Sequence, residues 1–118
     1  MAITQGKIEE IVERIVEAVD PYRIYLFGSR ARGTARDDSD IDLLIIADME
    51  GPYRERNLAI RRLFPKRNFG MDVFVFKPDE FERQKRVANT LGSIVSKEGK
   101  ILYEREKEGR VELVQQRG

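Results

Sequence analysis

Asp40 and Asp42 follow the dipeptide Gly28-Ser29 after ten intervening residues, and together these two pieces could handle a phosphate and a metal ion. Side chains alternate along a strand, so at the start of the strand Ile41–Ala47, Asp42 and the preceding Asp40 share one face while Ile41 and Leu43 share the other. At a strand's rise their Cα atoms lie roughly 6.5 to 7 Å apart, a spacing from which two carboxylates can bracket one Mg²⁺ or a pair of ions. Leu44 and Ile46 continue the aspartate face, which predicts a central strand with its acids at an open end. Two carboxylates held this close without a cation repel each other, or one takes up a proton. Asp72 heads another apolar run, Met71 to Phe76, on the face of Phe74 and Phe76. It reads as a third metal ligand or as the group that orients and deprotonates an attacking hydroxyl.

Composition narrows the chemistry further. The chain has 118 residues, enough for one domain, and 22 Lys plus Arg against 21 Asp plus Glu leave no net charge that would mark a nucleic-acid coat. Cysteine and histidine are both absent, so disulfides, thiolate metal sites and the usual neutral-pH base are excluded. Carboxylates, hydroxyls, Lys, Arg and a hard metal remain. No apolar run approaches a membrane span and no signal-peptide core is present, so the expected location is the cytoplasm.

The elements that must position these groups follow from periodicity. Ile8, Ile11, Val12, Ile15, Val16 and Val19 predict an amphipathic helix over Gln5–Val19, ended by Asp20-Pro21. Arg23–Phe27 reads as a strand that delivers Gly28-Ser29 at its carboxyl end. Ser29–Gly33 fits one helical turn and Thr34–Ser39 a loop. Gly51-Pro52 opens a helix to about Phe64, with Leu58, Ala59 and Leu63 inward and Arg54, Arg61 and Arg62 outward. Asn68-Phe69-Gly70 is a turn before the strand Met71–Phe76. Pro78 starts a helix to Arg86, and Thr90–Lys97 is a last helix, capped by Gly99 in the left-handed conformation. A strand at Lys100–Tyr103 follows. Residues 1–103 form the domain, and residues 104–118 form a charged tail in which only Val111, Leu113 and Val114 offer apolar surface.

Other motifs fail on inspection. Asp38, Asp40 and Asp42 resemble the start of an EF-hand loop, but Leu43 holds the glycine position and Met49 the terminal glutamate position. Gly28 and Gly33 have P-loop spacing, yet Thr34-Ala35 stands where Lys and Ser or Thr are required. An ordinary turn followed by a solvated acidic loop would explain Asp37, Asp38 and Asp40. It does not explain Asp42 inside a hydrophobic strand.

The run Tyr25-Leu26-Phe27-Gly28-Ser29-Arg30-Ala31-Arg32-Gly33-Thr34-Ala35, followed by Ser39-Asp40-Ile41-Asp42-Leu43-Leu44, resembles the minimal nucleotidyltransferases of the DNA polymerase β-like superfamily. Asp72 stands where that family's third carboxylate is expected, and the likeness runs from the first helix to Tyr103. The resemblance implies an α/β (α+β) nucleotidyltransferase fold, a small mixed sheet with helices packed on it. It also implies Mg²⁺, as two ions, and transfer of a nucleoside monophosphate, AMP from ATP, to a hydroxyl. By the same resemblance Gly28 and Ser29 hold the outer phosphates, Asp40 and Asp42 hold metal, and Asp72 serves the acceptor. Arg30 and Arg32 lie near enough to the turn to meet phosphate, although solvated helix-turn arginines would look the same.

The chain is too short for a domain that grips tRNA, DNA or an antibiotic, so the expected acceptor is a partner protein and direct nucleic-acid binding is not expected. Resemblance to toxin–antitoxin pairs implies a HEPN ribonuclease partner, silenced by adenylylation, in a hetero-oligomer or homo-oligomer. The arginines of the third helix and the apolar tail residues are candidate docking surfaces. Two alternatives remain open: a non-catalytic module that neutralises a toxin by binding, and a transferase for a small molecule or nucleic-acid end.

Overall fold

A computed structural model describes residues 4–36, 39–67 and 69–105 of the chain. The elements run α1 (Gln5–Val19), β1 (Arg23–Phe27), α2 (Ser29–Arg32), β2 (Ile41–Ile46), α3 (Tyr53–Arg61), β3 (Met71–Phe76), α4 (Pro78–Lys85), α5 (Leu91–Glu98) and β4 (Lys100–Glu104). The four strands form one mixed sheet in the order β3-β2-β1-β4. β1 is antiparallel to both β2 and β4, whereas β2 and β3 are parallel. β2 is therefore internal, as its two apolar faces require.

Strand alternation divides the core into two layers. Ile24, Leu26, Ile41, Leu43, Ile45, Met71, Val73 and Val75 point to one face, where Ile8, Ile11 and Ile15 of α1 and Ile60 of α3 cover them. Tyr25, Leu44, Ile46 and Phe76 point to the other, under Phe81 of α4 and Val95 of α5. Thr4 starts α1 by accepting the Lys7 N–H at 3.1 Å, and Asp20 ends it in the left-handed conformation. Thr90 caps α5 in the same way, accepting the Ser93 N–H.

Local expectations differ from the structure at Gly99 and along α3. Gly99 has extended backbone (φ −75°, ψ 156°), not left-handed, because α5 runs directly into β4. A side chain there would crowd the Val95 carbonyl and the Tyr25 ring, so the position demands space rather than handedness. The buried line of α3 is Arg56 and Ile60, while Leu58, Ala59 and Leu63 are only half-buried. α3 also stops at Arg61, three residues before Phe64, and Arg61 turns toward β3 instead of solvent. Asp37, Asp38, Asn68 and the tail with Val111, Leu113 and Val114 lie outside the described residues. Among the described residues no helix is long and apolar enough to cross a membrane.

Candidate active site

The parallel register of β2 and β3 pairs Asp42 with Asp72, and the antiparallel register of β1 and β2 pairs Phe27 with Asp42. Phe27, Asp42 and Asp72 thus form one row across three strands, at the end of the sheet where β1 delivers Gly28-Ser29. Helices α4 and α5 pack over the far end of this face, around Phe76 and Ile46, and leave the row half-exposed. The rings of Phe27 and Phe74 meet beside it with centroids 6.0 Å apart.

Glycines press the aspartates into place. Gly28 has φ +77°, a conformation that side chains disfavour, and a Cβ there would overlap the Asp42 carboxylate. Gly70 stands equally close to Asp40, and its carbonyl accepts the Ile41 N–H at 3.0 Å, which starts the β2–β3 ladder. Two loops that are distant in sequence thereby fix the two motif carboxylates. The role of Gly70 is invisible in a one-dimensional reading, where it is simply the end of a turn.

Gly28 is also the N-cap of α2, and its carbonyl accepts the Ala31 and Arg32 N–H groups at 3.1 Å each. The N–H groups of Ser29 and Arg30, in the first turn, have no intrahelical acceptor by helix geometry, and such groups suit an anion. Arg30 donates to the Ser39 carbonyl from Nε at 3.2 Å and from Nη2 at 2.6 Å, and to the Arg36 carbonyl at 3.4 Å. It therefore shapes the loop that leads to Asp40. The Arg36 N–H donates to Ser39 Oγ at 2.8 Å and closes the same loop. Arg32 is exposed, and its charge acts on Asp42.

Electrostatics single out Asp42. Burial, then the charges of Asp72 and Asp40 and a hydrogen bond with the Asp72 carboxyl, push its pKa up to about 6, against which Arg32 pulls weakly. Asp72 is half-exposed and meets Arg61 Nη2 at 3.5 Å. Asp40 is exposed. Among the described residues no three carboxylates are grouped as a ready-made metal cage. The Asp42–Asp72 pair nevertheless has the character of a cation site, with hard oxygen donors and a mutual repulsion that a divalent ion would relieve.

The chain matches the nucleotidyltransferase domain family over residues 6–115 and belongs to it. It is a nucleotidyltransferase with that family's mixed α/β fold. A solved structure of a candidate nucleotidyltransferase from Sulfolobus solfataricus is similar, with 28% identity, a TM-score of 0.60, and coverage of 85% of this chain and 79% of that one. A toxin–antitoxin structure with AMP-PNP shares 21% identity at a TM-score of 0.58, covering 91% of this chain and 82% of the other. A variant of the toxin–antitoxin pair MntA-HpeT gives 21% and 0.56, covering 88% and 75%. Comparison with curated proteins returns no significant match.

Proposed function

We propose that this chain transfers AMP from ATP to a hydroxyl of a partner protein, and that it acts as the antitoxin of a HEPN ribonuclease. The observation that carries the chemistry is the Asp42–Asp72 pair, adjacent in register across β2 and β3 and beside the Gly28-Ser29 turn. The family resemblance and the toxin–antitoxin assemblies among similar folds support the partner in this reading. In this reading the catalytic unit runs through β4 to Glu104, which pairs with Arg23 of β1. The two positions beyond the expected end of the domain are held in place by the sheet and by the bond from the Arg105 N–H to the Tyr22 carbonyl.

Each residue has a distinct task. Ser29 and the first N–H groups of α2 hold the outer phosphates, with Arg32 adding charge at the open side. Asp40, Asp42 and Asp72 would hold Mg²⁺, which when bound supplies charge neutralisation at the α-phosphate. The acceptor oxygen bonds to the α-phosphorus as the bond to the β-phosphate bridging oxygen breaks, and the hydroxyl proton passes to Asp72. Pyrophosphate leaves. Catalysis of this kind is positioning and electrostatics, and needs no histidine.

The test is transfer of α-labelled phosphate from ATP to a copurified partner in Mg²⁺. The wild type labels the partner and Asp42→Asn does not. Full labelling by Asp42→Asn would refute the metal role, and an unlabelled partner would refute the transfer itself.

A further inference from the structure

α3 is aligned along the outer edge of β3 by two side chains one helical turn apart. The Asn57 Oδ1 accepts the Val75 N–H at 2.8 Å, which occupies a donor that an edge strand would otherwise leave open. Four residues later, on the same helical face, Arg61 reaches Asp72 three residues back along the strand. Ile60, fully buried between them, anchors the helix in the core. The position of Arg61 is thus fixed by the packing of α3 and not by a chance surface encounter.

The contact is one-sided. Arg61 Nη2 lies 3.5 Å from Asp72 Oδ1, while Asp72 sits opposite Asp42 in the β2–β3 register. The Arg61 side chain is 41% exposed and that of Asp72 47%, yet Arg61 Nε is buried with no partner among the described residues. A buried unpaired donor is costly, so the guanidinium is held here by the packing of its stem and by the Asp72 carboxylate in front of it. It places a positive charge against the outer edge of the pair.

We propose that Arg61 is a positioning residue for Asp72, a resident cation that holds its carboxylate beside Asp42 and competes with a divalent ion for it. This inference rests on the proposed transfer site. With one oxygen engaged by Arg61, Asp72 keeps the other for the ion or for the acceptor's proton. The ion must share Asp72 with an arginine, which weakens metal binding before the nucleotide arrives and keeps the carboxylate aimed once it has.

Mn²⁺ titration of the full-length protein, followed by the loss of the free-ion EPR signal, tests this without any transfer reaction. Arg61→Gln is expected to bind Mn²⁺ about fivefold more tightly, because a unit charge next to the ion is removed. Lys66→Gln, which removes an exposed charge from the α3–β3 connection, should remain within about twofold of wild type. In transfer assays Arg61→Gln should lose kcat with little change in the KM for ATP, and Arg61→Lys should restore the weaker metal binding. Unchanged Mn²⁺ affinity in Arg61→Gln, or an equal gain in Lys66→Gln, overturns the proposal. Failure of the wild type to bind Mn²⁺ at all overturns it together with the metal site, whereas normal binding without transfer refutes only the proposed reaction.

Discussion

Gly28 packs against the Asp42 carboxylate with no room between them for a methyl group. The turn that would cradle phosphate and the strand that would hold metal are therefore one unit, locked across β1 and β2 by the Phe27–Asp42 register. The glycine is required twice over, by its φ of +77° and by this approach.

Gly28→Ala is expected to lower stability by about 2 kcal/mol, from backbone strain and overlap together, and to abolish transfer. Chemical denaturation of the single variants and of Gly28→Ala/Asp42→Ala separates the two causes. Removal of the Asp42 carboxylate should recover about half of the loss, as coupling between contacting residues requires. Additive losses would show that strain alone is responsible.

Gly70→Ala makes a different prediction, because its obstacle is the side chain of an exposed residue. Asp40 can rotate away from a new Cβ, so stability should change by less than about 1 kcal/mol while the carboxylate leaves its position. The expected result is a loss of about tenfold in transfer at limiting Mg²⁺, partly recovered at saturating Mg²⁺. Thermal melts and a Mg²⁺ dependence of the rate check the two parts.

The framework of this fold is legible in the sequence because the periodic elements carry strong signals. The run of isoleucines and valines in α1, and the alternation around Asp42, each fit only one element type. Asp72 could be assigned to the face of Phe74 without knowing that β3 lies parallel to β2. The contacts that complete the site were hidden for a physical reason: they join segments far apart in the chain. Gly70 against Asp40 depends on the β2–β3 register and Arg61 against Asp72 on the docking of α3 along β3, neither of which a local pattern encodes. Arg56, which the helical pattern leaves unassigned, is buried because α4 brings its partner Glu80 to it.

Arg56 is only 3% exposed, and its Nη2 lies 3.1 and 3.3 Å from the two Glu80 oxygens. Glu80 also accepts the Lys77 N–H at 2.8 Å, so one carboxylate joins α3 to the start of α4. Glu80→Ala leaves a buried guanidinium unpaired and should cost about 3 kcal/mol. Arg56→Met, which fills the space without a charge, should cost about 1 kcal/mol or less. Urea midpoints for the two variants give the comparison, and an equal loss in both would mean that packing of the arginine stem, not its charge, is what matters.

Asp42 ties stability to pH with a sign opposite to that of an ordinary salt-bridged carboxylate. Its pKa rises from 3.8 to about 6 on folding, so between these values the folded protein binds more protons than the unfolded chain. The stabilisation is complete below about pH 4 and is lost as pH rises through 6. A shift of about two units corresponds to about 3 kcal/mol, which partial solvent exposure of the carboxyl reduces to about 1 kcal/mol. In EDTA, then, Asp42→Asn should gain on wild type as pH rises from 4 to 7, measured by urea midpoints, with the two converging at low pH. Mg²⁺ reverses the preference, because the ion displaces the proton that Asp42 holds, and apparent Mg²⁺ affinity should fall steeply as pH drops below 6. A wild type and Asp42→Asn pair whose stability difference stays flat across this range would show that the carboxyl is not crowded by Asp72 and Asp40, and would remove the electrostatic basis for a cation between them.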